Sequence, residues 1–116
     1  MGLPPPNSKS EITPEEAARE HQTGRVMLVD VRDHDEWSAG HAPGAVHAPL
    51  SKLKPESFPS DAAIIAVCHA GGRSTQAMQR LTAAGLSVRN ITGGMSAWAD
   101  AGLPVTRDDG TPGTVG

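Results

Sequence analysis

The sequence predicts an α/β fold on a mainly parallel sheet, and three observations carry that expectation. Val26-Met27-Leu28-Val29 and Ala62 to Val67 are continuous apolar runs, the pattern of strands covered on both faces. Segments with capping residues and helical spacing lie between and around them. Strands and helices therefore alternate along the chain, the order that builds a parallel sheet.

Each element has a local reason. Thr13-Pro14-Glu15-Glu16 joins a capping box to a proline at the first helical position, and Gly24 ends that helix. Val26 to Val29 follows as the first buried strand. Asp33 to Glu36 repeats the capping pattern before a short helix that stops at Gly40. After the Ala62–Val67 strand, Ala77, Met78, Leu81 and Ala84 recur at helical spacing from Ser74 onward, with Gly85 as the stop. Ser87 to Ile91 reads as a further strand. Gly94 to Ala101 reads as the last helix, closed by Gly102 and Pro104.

At 116 residues the chain has the size of one domain, with a core expected over residues 10–106. The Pro-rich segment 1–9 and the run Arg107 to Gly116 (RDDGTPGTVG) offer few apolar groups to bury and are expected to be flexible. A formal charge of −3 leaves no basic footprint for nucleic acid. No apolar run approaches the roughly 18 residues of a membrane span, and the first residues lack the features of a signal peptide. The single cysteine excludes an internal disulfide and a multi-cysteine metal site, and fits a reducing, cytoplasmic setting. His34, His41 and His47 fall in separate turns without paired ligand spacing, so no metal is expected.

The stretch with chemistry is Cys68-His69-Ala70-Gly71-Gly72-Arg73-Ser74. It leaves the carboxyl end of a buried strand, where open parallel sheets bind their ligands. Two glycines allow a tight turn that gathers several N–H groups into one concavity. The following helix adds its unpaired amides and the positive end of its dipole. Arg73 adds a planar fork of donors suited to an oxyanion. Such a loop would hold an anion against Cys68 and favour its thiolate. Nucleophilicity falls as a thiol becomes more acidic, so gripping the donor and stabilising the departing charge matter more than acidity alone. A lone cysteine is also a common core residue; the glycine turn and arginine that follow set this one apart.

The loop and its surroundings resemble the rhodanese family. Val29-Asp30-Val31-Arg32, with Glu36-Trp37 and Gly40-His41-Ala42-Pro43-Gly44-Ala45, is similar to the family's first signature. Cys68 to Ser74 is similar to its active-site loop. Ile91-Thr92-Gly93-Gly94-Met95-Ser96-Ala97-Trp98 and Gly102-Leu103-Pro104-Val105 are similar to its closing segment. The resemblance implies a five-stranded, mainly parallel sheet with helices on both faces. It implies a sulfurtransferase in which Cys68 takes a sulfane sulfur from an anionic donor such as thiosulfate. The persulfide then passes to a thiol, cyanide or protein acceptor, without a cofactor. By position Cys68 is the nucleophile, the amides of His69, Ala70, Gly71, Gly72, Arg73 and Ser74 form the cradle, and Arg73 faces the anion. Asp30 and Arg32, at a strand end beside the site, are expected to form a hydrogen bond or ion pair that shapes the pocket wall. Trp37 and Trp98 are expected to be packing residues, with Gly93-Gly94 setting helix–sheet packing.

Two departures bear on substrate. His69 stands where many family loops carry a basic residue, and no second cysteine can resolve the persulfide within the chain. Two other readings stay open. A cysteine phosphatase or arsenate reductase would place five residues between cysteine and arginine, whereas four intervene here. A sulfur carrier or regulatory binding module would use the same loop without rapid turnover.

Overall fold

The computed structural model describes residues 10–115. The flexible segment expected over 1–9 lies outside the described residues, as does Gly116. Nine elements follow one another: β1 (Glu11–Ile12), α1 (Pro14–Gln22), β2 (Met27–Asp30), α2 (His34–Ala39), β3 (Val46–His47), β4 (Ala63–Val67), α3 (Gly72–Ala83), β5 (Ser87–Ile91) and α4 (Gly94–Asp100). Two short 3-10 turns, Leu50–Lys52 and Pro55–Ser57, bridge β3 to β4.

The five strands form one sheet in the order β1-β5-β4-β2-β3, and every neighbouring pair is parallel. The central pair β2 and β4 aligns Asp30 with Val67, and the Val31 N–H extends the pairing to the Val67 carbonyl at 2.9 Å. The chain leaves β2 through α2 towards β3 at one edge, and leaves β4 through α3 towards β5 on the other side. Connections that diverge in this way open a crevice beyond the carboxyl ends of the two strands.

Strand alternation divides the core. Val29, Val31, Ile64, Ala66 and Cys68 pack with Ala77 and Leu81 of α3 on one face. Leu28, Ile65, Val67 and Ile91 pack with Ala17 of α1 and with Met95 and Trp98 of α4 on the other. Helices thus cover both faces, as the apolar runs of β2 and β4 require. The capping residues act as their types dictate: the Glu16 N–H donates to Thr13 Oγ1 at 3.2 Å, and the Asp33 N–H donates to Glu36 Oε1 at 3.1 Å.

Three boundaries differ from the sequence reading. β1 and β3 have two residues each, too short for periodicity to reveal them, and they exist as edges paired to β5 and β2. Helix α3 starts at Gly72 and not at Ser74, so Gly72 and Arg73 belong to its first turn instead of preceding it. Residues 107–115 are not a free tail. Thr106 bridges His41 on one side and Pro112 on the other, and the Arg107 N–H donates to Thr111 O at 2.8 Å. The N–H groups of Gly113 and Thr114 then donate to the carbonyls of Val105 and Ala39, both at 2.9 Å, and Val115 packs on the second core cluster. These contacts are mostly backbone to backbone, which a side-chain pattern does not report. Gly40 makes the return possible: a Cβ there would sit 2.6 Å from the Thr114 backbone.

Ending the chain at Thr106 removes these bonds and leaves the Ala39 carbonyl without its donor. The unfolding free energy is expected to fall by about 2 kcal/mol, read as a lower urea midpoint with the sheet intact.

Candidate active site

Cys68 is delivered by β4. Ile64, Ala66 and Cys68 share one side of the strand, so the cysteine side chain points beneath the start of α3 and is 1% exposed. By burial alone it is a core residue, but its sulfur has polar company. The Gly71 N–H donates to Sγ at 3.0 Å, and Ser74 Oγ lies 3.3 Å from it. Burial pushes the Cys68 thiol up, but the Ser74 hydroxyl and the amides of Ser74, Gly71 and Ala70 together bring it below the usual value.

The loop is held from behind. The Met95 N–H donates to Cys68 O at 2.7 Å, and the Ser96 N–H donates to His69 O at 3.0 Å. The first turn of α4 thus claims two carbonyls of the loop and fixes the peptide planes that lead into the Ala70 and Gly71 turn. Gly94 permits this approach: its φ is +61°, and a Cβ would fall 2.6 Å from His69 O and closer still to Cys68 O. The expected role of the glycine pair in packing is therefore more specific than helix against sheet. Within the loop itself, Gly71 needs its freedom (φ +126°), whereas Gly72 has a negative-φ helical position and open space around it.

Arg73 sits at the loop's end, but its fork is occupied. Nη1 and Nη2 donate to Glu36 Oε1 and Oε2 at 2.6 and 2.9 Å, and Asp33 lies 3.8 Å from Nη1. The sequence reading turned this fork towards an anion; the structure uses it to tie α3 to α2. The Arg73 pair holds the Glu36 carboxyl at about 2, with the Asp33 N–H assisting against partial burial. Glu36 therefore serves twice, as the capping-box residue of α2 and as the anchor of the loop arginine.

Asp30 and Arg32 form a buried pair, 0% and 1% exposed, with Arg32 Nη2 2.8 Å from Asp30 Oδ2. The same Nη2 donates to Gly40 O at 2.7 Å, welding the end of β2 to the end of α2. Trp37 is buried, and the rings of His41 and His47 stack on it at 3.6 and 4.7 Å between centroids. The histidines of separate turns do meet, but as stacked rings. Trp98 donates its indole N–H to Pro104 O at 2.8 Å.

Two contributors were missed. Asn90 shares a strand side with the core residue Val88, and its Oδ1 accepts from the Ser74 hydroxyl while Nδ2 donates to Glu11 at 3.2 Å. The sequence leads one to expect only an amide from Ser74, yet its hydroxyl stands between Asn90 and Cys68. The signal was present: an asparagine at an inward strand position must find partners. A hydroxyl has one proton, so the Ser74 contacts to Asn90, to Gly71 O and to Sγ are alternatives, and the thiolate is the strongest acceptor among them.

A cleft of about 440 Å³ opens beside the loop, lined by Arg32, Asp35, Glu36, Ala39 and His69. It lies at the crevice between the ends of β2 and β4. Of the expected cradle, Ala70, Gly71 and Ser74 converge on the sulfur, and His69 lines the cleft.

A family model described as Rhodanese-like domain matches residues 13–101. The chain belongs to the rhodanese family. It is 38% identical over 105 residues to an HTH-type transcriptional regulator of Mycobacterium tuberculosis, covering 87% of this chain but 46% of that protein. It is 36% identical over 91 residues to a sulfurtransferase of Allochromatium vinosum, covering 76% of this chain and 85% of the relative. Among solved structures, a rhodanese-like domain protein from Staphylococcus aureus superposes with a TM-score of 0.72 at 34% identity, over 81% of this chain and 95% of that one. The chain thus spans about half the length of the regulator and most of the two smaller relatives.

Two outcomes test the geometry of this rhodanese site. Replacing Ser74 with alanine removes a donor to the sulfur, so the midpoint of Cys68 alkylation against pH is expected to move upward. A midpoint that stays put would mean the amides suffice. Glu36 has its folded pKa depressed to about 2, so its contribution to stability is complete above the unfolded carboxylate range and is lost as pH falls through about 2. Glu36→Gln is expected to cost about 1 kcal/mol at pH 7, discounted for partial exposure. Thermal unfolding between pH 6 and 2 should show the variant and the parent converging at the acid end.

Proposed function

We propose that this rhodanese domain is a sulfurtransferase that carries a sulfane sulfur as a persulfide on Cys68. The Cys68 thiolate attacks the outer sulfur of thiosulfate or another persulfide donor. The new S–S bond forms as the donor's own bond to that outer sulfur breaks, and sulfite (from thiosulfate) or a thiolate (from a persulfide) departs with the electron pair. A thiophilic acceptor then takes the outer sulfur, and Cys68 leaves as the thiolate. The single observation that carries the reading is the sulfur at the focus of the Gly71 N–H and the Ser74 hydroxyl. Those donors suit a thiolate, a persulfide anion and the charge moving between them. The name of the Allochromatium relative, a sulfurtransferase, agrees with it. A lone thiol kept reduced accords with a cytoplasmic setting.

The ring from Cys68 to Arg73 has no acidic residue. The nearby carboxylate, Glu36, is ionised and bound by Arg73, so it has no proton for the leaving group of a phosphate ester. This argues for sulfur over phosphate chemistry. A second reading has its own support in the regulator from Mycobacterium tuberculosis: the persulfide would then serve as a carried signal read by a partner, with slow turnover.

Incubation with excess thiosulfate, followed by intact mass measurement, is expected to add one sulfur atom to the parent and none to Cys68→Ser. A reducing thiol should remove it. No added sulfur on folded, reduced protein would remove thiosulfate as donor. A persulfide that forms but resists small acceptors would favour the signalling role.

A further inference from the structure

The cleft beside the loop contains a cation with a spare donor. Arg32 lines it although the residue is 1% exposed. Its Nε and Nη2 are occupied by Asp30 and Gly40 O. Nη1 makes no hydrogen bond among the described residues, and no fully buried side-chain nitrogen or oxygen there lacks one. The little surface that Arg32 keeps therefore includes Nη1, presented to the cleft. Across the lining, Asp35 forms no hydrogen bond or ion pair among the described residues and is exposed, while Glu36 is committed to Arg73. The imidazole of His69, the residue next to Cys68, also has no bonded partner there.

The charges decide what fits. Asp30 balances Arg32, and Glu36 balances Arg73, which leaves Asp35 as the uncompensated charge of the lining. A dianion gains one donor and meets one carboxylate. A zwitterion with adjacent carboxylate and ammonium gains both an acceptor contact on Nη1 and an ion pair on Asp35 without adding net charge. The volume of about 440 Å³ is that of a small-molecule site. The cleft stands where the crevice of the sheet meets the residue following the nucleophile.

We propose that this cleft binds the α-amino-acid head group of a low-molecular-weight thiol, with its carboxylate on Arg32 Nη1 and its ammonium on Asp35. As a substrate class this rests on the sulfurtransferase reading, in which such a thiol is the acceptor. Its thiolate attacks the outer sulfur of the Cys68 persulfide, a new S–S bond forms, the bond to Sγ breaks, and Cys68 departs as the thiolate. The sulfane sulfur moves as such, so no external oxidant or reductant is consumed.

The test separates the head-group site from the chemistry by using thioethers that cannot react. S-methylcysteine, 2-(methylthio)ethylamine and 3-(methylthio)propionate carry both charges, the ammonium alone and the carboxylate alone. Titrated into the full chain and followed by amide and guanidinium NMR shifts, S-methylcysteine is expected to bind at least about tenfold more tightly than either half. Asp35→Asn, an exposed substitution that leaves the core alone, should weaken S-methylcysteine about threefold and leave the carboxylate-only ligand unweakened. Equal affinities for the three ligands, or a variant that shifts all three alike, would overturn the proposal, as would the absence of binding at millimolar ligand. Tight S-methylcysteine binding on a protein that never gains sulfur would sustain the cleft and defeat the sulfurtransferase reading.

Discussion

The site depends on two carbonyls being claimed from the back of the loop. When the Met95 and Ser96 amides take Cys68 O and His69 O, the two peptide planes after β4 are fixed, and the Ala70 amide of the second is among the groups that act on the sulfur. Buried backbone groups must be paired, and this pairing chooses which way each one points. Gly94, with its left-handed backbone, is the only residue type that lets α4 come this close. The third sequence motif, distant from the nucleophile in the chain, is thus the rear wall of the first turn of chemistry.

Seen from that wall, the charged pairs divide their duties. Arg73 and Glu36 bridge α3 to α2 at the surface, where a two-pronged geometry matters more than net energy. Asp30 and Arg32 do the same in the interior, where desolvation weighs heavily and multiple hydrogen bonds offset it. Such a buried pair is a device for placing groups. Here it fixes where β2 ends, where α2 stops, and which guanidinium nitrogen remains available to a visitor.

Much of this was legible in the residues. Caps at Thr13 and Asp33, the unbroken apolar runs of β2 and β4, and the glycine-rich turn after Cys68 are local signals with local causes, and the structure places them where those causes put them. What the residues did not announce is relational. The edge strands β1 and β3 are strands because β5 and β2 offer them partners. Arg73 has the fork an anion needs, yet Glu36 supplies a carboxylate that no spacing rule would connect to it. Asn90 needs partners because it points inward from β5, and only the facing helix reveals Ser74 as one of them. Residues 107–115 have little apolar content and hold their place mostly by backbone bonds, which composition cannot see.

The ring stack on α2 has an optical consequence. Trp37 lies nearly parallel to the imidazoles of His41 and His47, while Trp98 is remote from any such contact and gives its N–H to a carbonyl. A second ring held flat on an indole perturbs its excited state, and with it the emission. The two tryptophans are therefore unequal lamps: Trp98 reports the packing of α4, and Trp37 reports the stack that closes α2.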